Sequence, residues 1–344
     1  MLLTICTIRQ LPQAFTLGDS FIQHAAQPDG LLPTVVIGLV DDHTQLPAGF
    51  TSPYPILPVS DILTKAELRT LSGMYTPVEF AAACKPRFIQ EAFRRYPSAQ
   101  TLIYADPNIR FYSSAASIQA ALADANILLT PHITRKQPDL LPDDQPAWPD
   151  EKFFQNIGLY SSDFLAFRRS AETSRFLNWW QDRTQQRAYI NYCEGLCTDQ
   201  LWLMHVPVFF AGVNVVKSPS WHLALWNLPD RIIRQAGSEW LVTGTGSTHT
   251  EPICFASFKG LFNMDEGFFP NQNRVHLSER PYVVAFLNEY KRFVAAQDYT
   301  LPETPAAYGR QVSPVVLRGW RKTTVESLRT ILDFIDRLPL PVLR

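Results

Sequence analysis

The chain has 344 residues, of which 46% are hydrophobic and 18% are charged, and its formal net charge is -1. This composition excludes a largely disordered chain and predicts a globular core, built as one large α/β domain or two smaller ones. The nearly neutral charge excludes an overall basic surface of the kind that binds nucleic acid or acidic polymers.

Four short apolar runs in the first part of the chain are separated by segments with helical spacing. Continuous apolar runs rich in β-branched residues predict buried strands, and apolar residues three or four apart predict helices. The predicted strands cover 2–8, 34–40, 101–105 and 127–131, and the predicted helices cover 15–24, 60–71 and 78–95. Asp41 and Asp42 end the second strand, and an acid in this position is typical of a nucleotide-binding α/β unit. A plain polar turn is the alternative for this pair.

The second part of the chain continues the α/β pattern and then becomes helical. A Pro- and Asp-rich stretch at 136–150 has the composition of a mobile flap. The patterns that follow predict a strand at 158–168, a helix at 171–185, a strand at 207–216 and a more basic helical region at 281–344. We therefore predict an α/β mixed sheet flanked by helices over 1–280, with 281–344 as a helical C-terminal appendage packed on it.

The cysteines and the apolar runs indicate a reducing, cytoplasmic setting. Five scattered cysteines in a chain of this length do not predict a disulfide framework. Cys193 and Cys197 lie four apart, but no second Cys or His pair with zinc spacing accompanies them, so we predict ordinary thiols. The apolar N-terminus is too short for a signal peptide, and no apolar run approaches the roughly 20 residues of a membrane span.

The segment Tyr104-Ala-Asp-Pro-Asn108, directly after a predicted strand, carries the clearest local chemistry. When a nucleotide-diphosphate sugar reacts, negative charge develops on the departing diphosphate, and a divalent cation or fixed positive groups can stabilise it. Carboxylate oxygens suit Mg or Mn, so Asp106 is a candidate metal ligand and Asn108 a weaker, neutral one. A simple turn is the alternative, because Asp, Pro and Asn all favour turns.

Six segments with a common order and spacing extend this interpretation. In these six segments the chain resembles a bacterial glycosyltransferase family of the nucleotide-diphospho-sugar transferase superfamily. The resemblance implies a GT-A fold with a Rossmann-like sheet, a nucleotide-sugar donor (a UDP-sugar is favoured) and a glycan or glycolipid acceptor. The six segments are TPVEFAAACKPRFI (76–89), TLIYADPNI (101–109), ILLTPHI (127–133), FLNWWQDR (176–183), EGLCTDQLWLMHVP (194–207) and ALWNLPDR (224–231).

The resemblance also implies roles for individual residues. Asp199 and Gln200 match the family's Asp-Gln pair, which faces the donor sugar and the acceptor, so they are the candidate catalytic residues. Asp199 can accept a hydroxyl proton, and Gln200 can hydrogen-bond to sugar; a helix N-cap is the alternative for Asp199. The family's donor-binding positions correspond to Lys85, Asp106, Trp226, Asn227 and Arg231. We add residues at the predicted strand ends and residues that depart from the family's motifs. The complete set of candidate donor-binding residues is Thr7, Asp41, Asp42, Lys85, Asp106, Asn108, Trp226, Asn227, Arg231 and Lys259.

Several of these residues also have alternative interpretations in which they do not contact a ligand. An isolated Lys85 or Arg231 is often a solvated surface group, and Trp226 is equally consistent with a core residue. His132 matches the family's Thr-Pro-His after the fourth strand, and we interpret it as structural.

Departures from the family's motifs concentrate on its metal ligands. Asn108 replaces the second acid of its Asp-x-Asp pair, and Ser257-Phe-Lys-Gly260 replaces a His-Phe-Ser-Gly motif whose His lies where related enzymes place a metal ligand. The other departures are Ser161 and Asp163, where the family has Asn and Gly, and His222, where the family has Asn. Dependence on Mn or Mg is therefore doubtful. One hypothesis is that Lys259 partly replaces the metal as a fixed positive charge; a decayed site is the alternative.

The C-terminal stretch from Gly309 to Arg344 has seven basic and three acidic residues, with apolar residues interleaved. We favour an ordinary packing face at Leu328, Ile331, Leu332 and Ile335, with weak peripheral membrane contact as the alternative. Altogether, the sequence predicts a cytoplasmic hexosyltransferase of polysaccharide biosynthesis, acting in the cytoplasm or at the inner face of the membrane. A catalytically impaired GT-A module that binds nucleotide sugar or glycan, or scaffolds partner enzymes, is the alternative; nucleotidyl transfer ranks last because no Gly-rich phosphate loop is present.

Overall fold

The computed structural model describes residues 1–24, 33–136, 147–262, 272–297, 299, 301, 305–311 and 319–337. Two compact units divide the chain, Met1–Arg310 and Gln311–Arg344. The described strands are β1 Leu2–Cys6, β2 Val35–Leu39, β3 Ile56–Pro58, β4 Thr101–Ala105, β5 Ile109–Phe111, β6 Ile127–Pro131, β7 Tyr160–Arg168, β8 Ile190–Asn191, β9 Leu196–Cys197, β10 Val213–Val215, β11 Arg231–Ala236, β12 Glu239–Gly244, β13 Thr250–Pro252 and β14 Phe255–Ser257. The described α-helices are α1 Leu11–His24, α2 Lys65–Met74, α3 Pro77–Arg95, α4 Ala116–Leu122, α5 Glu151–Ile157, α6 Ala171–Arg187, α7 Val206–Phe209, α8 Pro281–Ala295 and α9 Trp320–Arg337.

A seven-stranded mixed sheet in the order β10-β6-β7-β4-β1-β2-β3 forms the centre of the larger unit. β1 runs parallel to both β2 and β4, whereas β7 runs antiparallel to β4 and β6. All five residues of β1 and of β2 are buried, as expected for strands that are covered on both faces. The predicted mixed α/β sheet flanked by helices is therefore confirmed.

Two apolar layers cover the two faces of this sheet. One layer joins α3 and α6 to the sheet through buried residues such as Phe88, Phe176 and Trp180. The other includes Phe21 of α1, Phe111 of β5 and further residues of α4 and β14. Burial of apolar side chains on both faces holds the strand ends in fixed positions.

Helix starts in this region follow ordinary capping chemistry. Thr76 precedes α3, and its side chain and backbone exchange hydrogen bonds with Glu79 in a capping box. Pro77 occupies the first turn, where a missing N–H costs nothing, and the helix ends before Tyr96. Thr64 and Glu67 form a second capping box at α2.

One predicted strand is wrong in its first half. The prediction covered 207–216, but the structure has the short helix α7 over Val206–Phe209 and a strand only at Val213–Val215. Pro207 lies at the start of that helix, where proline is well tolerated. The predicted helix at 60–71 begins later, at Lys65, because Thr64 caps it.

Short strands outside the main sheet attach the last part of the larger unit. β14 pairs antiparallel with β5, so that Ser257 lies opposite Ile109. β11, β12 and β13 form a separate three-stranded sheet. Beyond the predicted domain boundary at 280, α8 buries Phe286 and Tyr290 in a cluster with Trp240.

The smaller unit is described only over its helix α9 and flanking residues. On that helix Trp320, Leu328, Ile331 and Leu332 are each more than half exposed. Ile335, which was predicted to complete their packing face, lies outside the residues whose side chains are described, as does most of the predicted flap at 136–150. Within the described residues, no helix combines the length and apolar character needed to cross a bilayer.

Candidate functional site

Three candidate residues follow neighbouring strands at one edge of the sheet. Because β1, β2 and β4 run parallel, their carboxyl ends share this edge. Thr7 follows β1, Asp41 follows β2 and Asp106 follows β4. Ligands of open α/β sheets bind outside the carboxyl ends of the strands, so the edge is the natural place for a site.

A buried ion pair joins Lys85 to Asp199. The Lys85 Nζ lies 2.7 Å from Asp199 Oδ2, with both side chains at most 7% exposed. Lys85 also donates to the Ser162 carbonyl at 3.0 Å and to its hydroxyl at 3.2 Å, and that hydroxyl donates to Asp199 Oδ1 at 3.2 Å. The alternative of a solvated Lys85 is therefore wrong. The N-cap alternative is also wrong, because the Asp199 side chain binds Lys85 and Ser162 instead of a helix end.

A second group of charges lies beside this pair. The Lys259 Nζ is 2.7 Å from Asp163 Oδ1 and 3.9 Å from Asp106 Oδ2. The Tyr104 hydroxyl donates to Asp106 Oδ1 at 2.5 Å, and its ring centroid lies 4.7 Å from the Lys85 ammonium. Tyr104 thus connects the two groups. We call the set Lys85, Asp106, Asp163, Asp199 and Lys259 the charge cluster.

The cluster shifts the proton affinities of two of its carboxyl groups. Burial, together with repulsion from Asp163, raises the pKa of Asp106 to about 7, although Lys85 and Lys259 oppose the shift. Burial also acts to raise the pKa of Asp163, but Lys259, His222 and Lys85 together outweigh it and hold that pKa below its usual value. Asp163 is therefore a fixed anion near neutral pH, whereas Asp106 changes protonation there.

Strand pairing brings Lys259 to the end of β4. β14 pairs with β5, which begins three residues after Asp106. The Phe258 N–H then donates to the Asn108 carbonyl at 2.8 Å, directly before Lys259. These contacts explain how residues about 150 positions apart in the sequence meet at one site.

Two neutral histidines lie close to the cluster. His132 hydrogen-bonds through Nδ1 to the Gly158 carbonyl at 2.9 Å, and His222 through Nδ1 to the Thr130 hydroxyl at 2.7 Å. Burial lowers the pKa of His132 to about 4 and that of His222 to about 3. His222 also adopts a φ of 51°, a conformation that costs energy for a residue with a side chain.

Gln200 and Asn227 use their side-chain amides within the protein. The Gln200 carbonyl oxygen accepts from the Ser162 N–H at 3.2 Å, and its amide donates to the Ile157 carbonyl at 2.9 Å. Asn227 likewise accepts from Ala224 N–H and donates to the His222 carbonyl. Both amides position backbone around the cluster.

Trp226 and Arg231 are buried near these residues. Trp226 packs with Phe154 and other apolar side chains, with its ring 5.5 Å from that of His222, as in the core alternative. Arg231 is 5% exposed and donates to the Trp221 carbonyl at 2.7 Å, so the alternative of a solvated Arg231 is wrong. Burial lowers the pKa of Arg231 to about 10.

The candidates that follow β1 and β2 bind local backbone and side-chain groups. The Asp41 carboxylate accepts from the N–H groups of Ile8 and Asp42 and, at 2.7 Å, from that of Ala307. Asp42 accepts from the Thr44 N–H and hydroxyl. The Thr7 hydroxyl and N–H both donate to the Gln10 side chain. Donor contact by these residues stays a prediction.

The residues around Asp106 do not fit a divalent metal. Asn108 is neutral, and Ser257 is a buried hydroxyl on β14 in the position of the family's histidine. In the part of the chain that the structure describes, no group of three or more His, Cys, Asp or Glu residues is arranged to hold a metal ion. Lys259 adds a positive charge 3.9 Å from Asp106 Oδ2, and this charge would repel a cation bound at the same carboxylate.

Sequence reasoning did not assign a role to Asp163, Tyr104 or Ser162. A signal for Asp163 was present, since it directly precedes the apolar run 164–167 in one predicted strand, and the structure buries it there. A buried carboxylate requires a cationic partner, and Lys259 is that partner. The contacts of Ser162 and Tyr104 depend on the register of β4 with β7 and carry no sequence signal.

No protein-family model matches the chain. It is 24% identical over 203 residues to the uncharacterized protein YfnD of Bacillus subtilis strain 168, covering 56% of each chain. It is also 24% identical over 155 residues to the uncharacterized protein YfnF of the same strain, covering 43% of this chain and 47% of YfnF. The similarity thus spans about half the length of these curated relatives.

Two solved structures with similar topology are glycosyltransferases. The galactosyltransferase LgtC, in complex with donor and acceptor sugar analogues, is 13% identical with a TM-score of 0.44, covering 88% of this chain and 97% of that chain. Mouse xyloside xylosyltransferase 1 in its apo form is 10% identical with a TM-score of 0.34, covering 66% and 88%. Scores this low do not decide the fold, which rests on the observed strand order and pairing.

Proposed function

We propose that this chain transfers a sugar from a nucleotide-diphosphate donor, with a UDP-sugar favoured, to a glycan or glycolipid acceptor. The proposal rests on one observation above all. At the carboxyl edge of the sheet, directly after β4, residues Lys85, Asp106, Asp199 and Lys259 are joined by contacts shorter than 5 Å through Tyr104 and Asp163. The six-segment resemblance supports the same conclusion, since three of its segments contain Lys85, Asp106 and Asp199.

The proposed transfer balances as a simple substitution. The acceptor hydroxyl oxygen forms the new bond to the anomeric carbon, and the bond from that carbon to the diphosphate oxygen breaks. The nucleoside diphosphate leaves with the bonding electron pair, and the hydroxyl proton passes to a carboxylate, for which Asp199 is the proposed acceptor. Fixed positive charge stabilises the departing diphosphate. We place this reaction in polysaccharide assembly, in the cytoplasm or at the inner face of the membrane.

Donor hydrolysis tests the proposal. Incubation with a panel of UDP- and GDP-sugars should release UDP or GDP slowly from at least one donor. Asp199→Asn should reduce that release about 100-fold or more, because the proton acceptor is lost. Asp182→Asn, which changes a carboxylate that is 70% exposed, serves as the matched control and should leave release unchanged. Absence of both release and binding across the panel would contradict the proposal.

A second candidate function is a binding module without turnover. It is favoured by the state of Gln200, whose amide hydrogen-bonds at both ends to backbone groups and is 9% exposed. Such a module would bind nucleotide sugar or glycan, or hold partner enzymes together. A thermal-shift screen separates the two functions: stabilisation by a donor that is never hydrolysed indicates the module.

A further inference from the structure

We infer that Lys259, held in place by Asp163, supplies the fixed cation that stabilises the donor diphosphate, in the role that a divalent metal would otherwise fill. The inference rests on the proposed function, because it concerns the diphosphate of the same donor. It specifies that Lys259 binds the diphosphate group and that this binding does not require Mn or Mg.

The position of Lys259 is the first argument. Its ammonium lies 3.9 Å from Asp106 Oδ2, beside the carboxylate that ends β4. A metal bound by Asp106 would lie within a few ångströms of its oxygens. The lysine nitrogen therefore stands close to the place that such a metal would occupy.

The second argument is that two departures from the family's motifs contact each other. Asp163 stands where the family has a glycine, and Lys259 stands where it has a serine. In the structure these two side chains form an ion pair at 2.7 Å. A buried carboxylate without this lysine would pay a large desolvation penalty, so each residue accounts for the presence of the other.

Exposure assigns different roles to the two partners. The Asp163 side chain is 3% exposed, whereas that of Lys259 is 31% exposed. Of these two side chains, only Lys259 is exposed enough to contact a ligand that binds at this edge. Asp163 acts as an anchor that orients the lysine, and a lysine ammonium is a well-established point charge for phosphate groups.

The supporting groups match a metal-free site. Asn108 adds no charge, and position 257, where the family has a histidine, is a buried serine. Asp163 is paired with Lys259, and Asp199 is paired with Lys85 on the other side of Tyr104, so both carboxylates already have a lysine partner. Neither pair offers a set of carboxylates to a divalent ion.

Isothermal titration of UDP and GDP, with EDTA or with MnCl₂, tests the inference without requiring turnover. We expect binding in EDTA, with Kd changing less than about twofold on adding Mn, since metal and diphosphate would not be coupled. Lys259→Met should weaken binding about tenfold or more, because one charge-assisted contact is lost, and Lys259→Arg should retain most of it. Lys217→Met, at an exposed lysine, is the control.

Lys259→Met leaves Asp163 buried without its partner and can fail to fold. The double substitution Asp163→Asn with Lys259→Met removes both charges and should fold, as judged by circular dichroism, while losing the same tenfold in affinity. Affinity like that of the unmodified chain in the folded double variant would overturn the inference.

The results separate the two proposals. Binding that appears only with Mn, or tightens tenfold with it, overturns the role of Lys259 and leaves the proposed transferase intact. Lack of any binding to UDP, GDP or their sugars under every condition overturns the proposed function itself. Metal-independent binding that depends on Lys259 supports the role of Lys259 and a nucleotide-diphosphate ligand, and donor release then separates the transferase from the binding module.

Discussion

Several charged side chains at the candidate site are buried, and each of them lies beside a side chain of opposite charge. Lys85 and Asp163 are at most 6% exposed, and each lies within 3 Å of an oppositely charged partner. Taking such groups out of water costs several kcal/mol per ion, which only close pairing and hydrogen bonds offset. The arrangement at the site is therefore tightly determined by electrostatics.

The raised pKa of Asp106 predicts a distinct pH dependence of stability. Its folded-state pKa of about 7 exceeds the ordinary aspartate value of about 3.9. The folded state then binds more protons between these values, so the contribution of Asp106 is present below pH 4 and is lost as the pH rises through 7. Relative to the unmodified chain, Asp106→Asn should gain up to about 1.4 kcal/mol in the free energy of unfolding per pH unit across this window.

Urea unfolding between pH 4 and 8 measures this difference. Asp182→Asn, at an exposed carboxylate, provides the matched control and should show a flat difference. A flat difference for Asp106→Asn as well would mean that Asp106 titrates like an ordinary aspartate.

The Lys85–Asp199 pair predicts strong non-additivity. Removing one partner by Lys85→Met or Asp199→Leu leaves a buried charge alone and should cost about 3–5 kcal/mol in the free energy of unfolding. The double variant Lys85→Met with Asp199→Leu should recover at least half of that loss. Chemical denaturation of the four proteins gives the coupling energy, and simple additivity would contradict a direct interaction.

At the scale of secondary structure, the strands and helices determine the position of each residue of the charge cluster. β14 lies beside β5 and delivers Lys259 to the end of β4, whereas α3 delivers Lys85 from its buried face. Gly38 of β2 permits α3 to pack closely, because a Cβ there would lie 2.6 Å from the ring of Phe88. Small features in the elements thus determine the position of the charge cluster.

The capping box of α3 provides a test at this scale. Thr76→Ala removes the hydroxyl that accepts the Glu79 N–H and that donates to its carboxylate, and should cost about 1 kcal/mol in the free energy of unfolding. Thr70→Ala, at an exposed position within α2, is the control and should be neutral or slightly stabilising. A loss for Thr76→Ala no larger than that of the control, measured by urea unfolding, would contradict the capping role.

On the scale of the molecule, two compact units divide the chain after Arg310. The larger unit contains the sheet, both apolar layers and every residue of the charge cluster. A unit with its own core can fold alone. We therefore expect a chain ending at Arg310 to unfold cooperatively, with Tm within about 4 °C of the full chain. Scanning calorimetry measures this, and loss of a cooperative transition would show that the two units depend on each other.

The sequence by itself determined the strand and helix order around the central sheet. Short apolar runs predicted the bounds of β4 and β6 to the residue, because each strand contains three or more consecutive apolar residues and a turn-forming or proline residue lies at its end. Apolar residues at helical intervals similarly predicted α3 over 78–95, one residue after its observed start at Pro77. The resemblance brought attention to Lys85, Asp106 and Asp199, which the structure places in one connected cluster.

Only the tertiary structure decided which side chains meet. Asp163 and Lys259 are 96 residues apart, and their pairing follows from the β14–β5 contact and the register of β7, neither of which has a local signature. The same holds for Gln200, whose amide is taken up by backbone groups of distant segments. The apolar pattern along a segment depends on which of its faces is buried and which is exposed to water. Contacts between residues that are distant in the sequence depend instead on how the buried faces of different elements pack together.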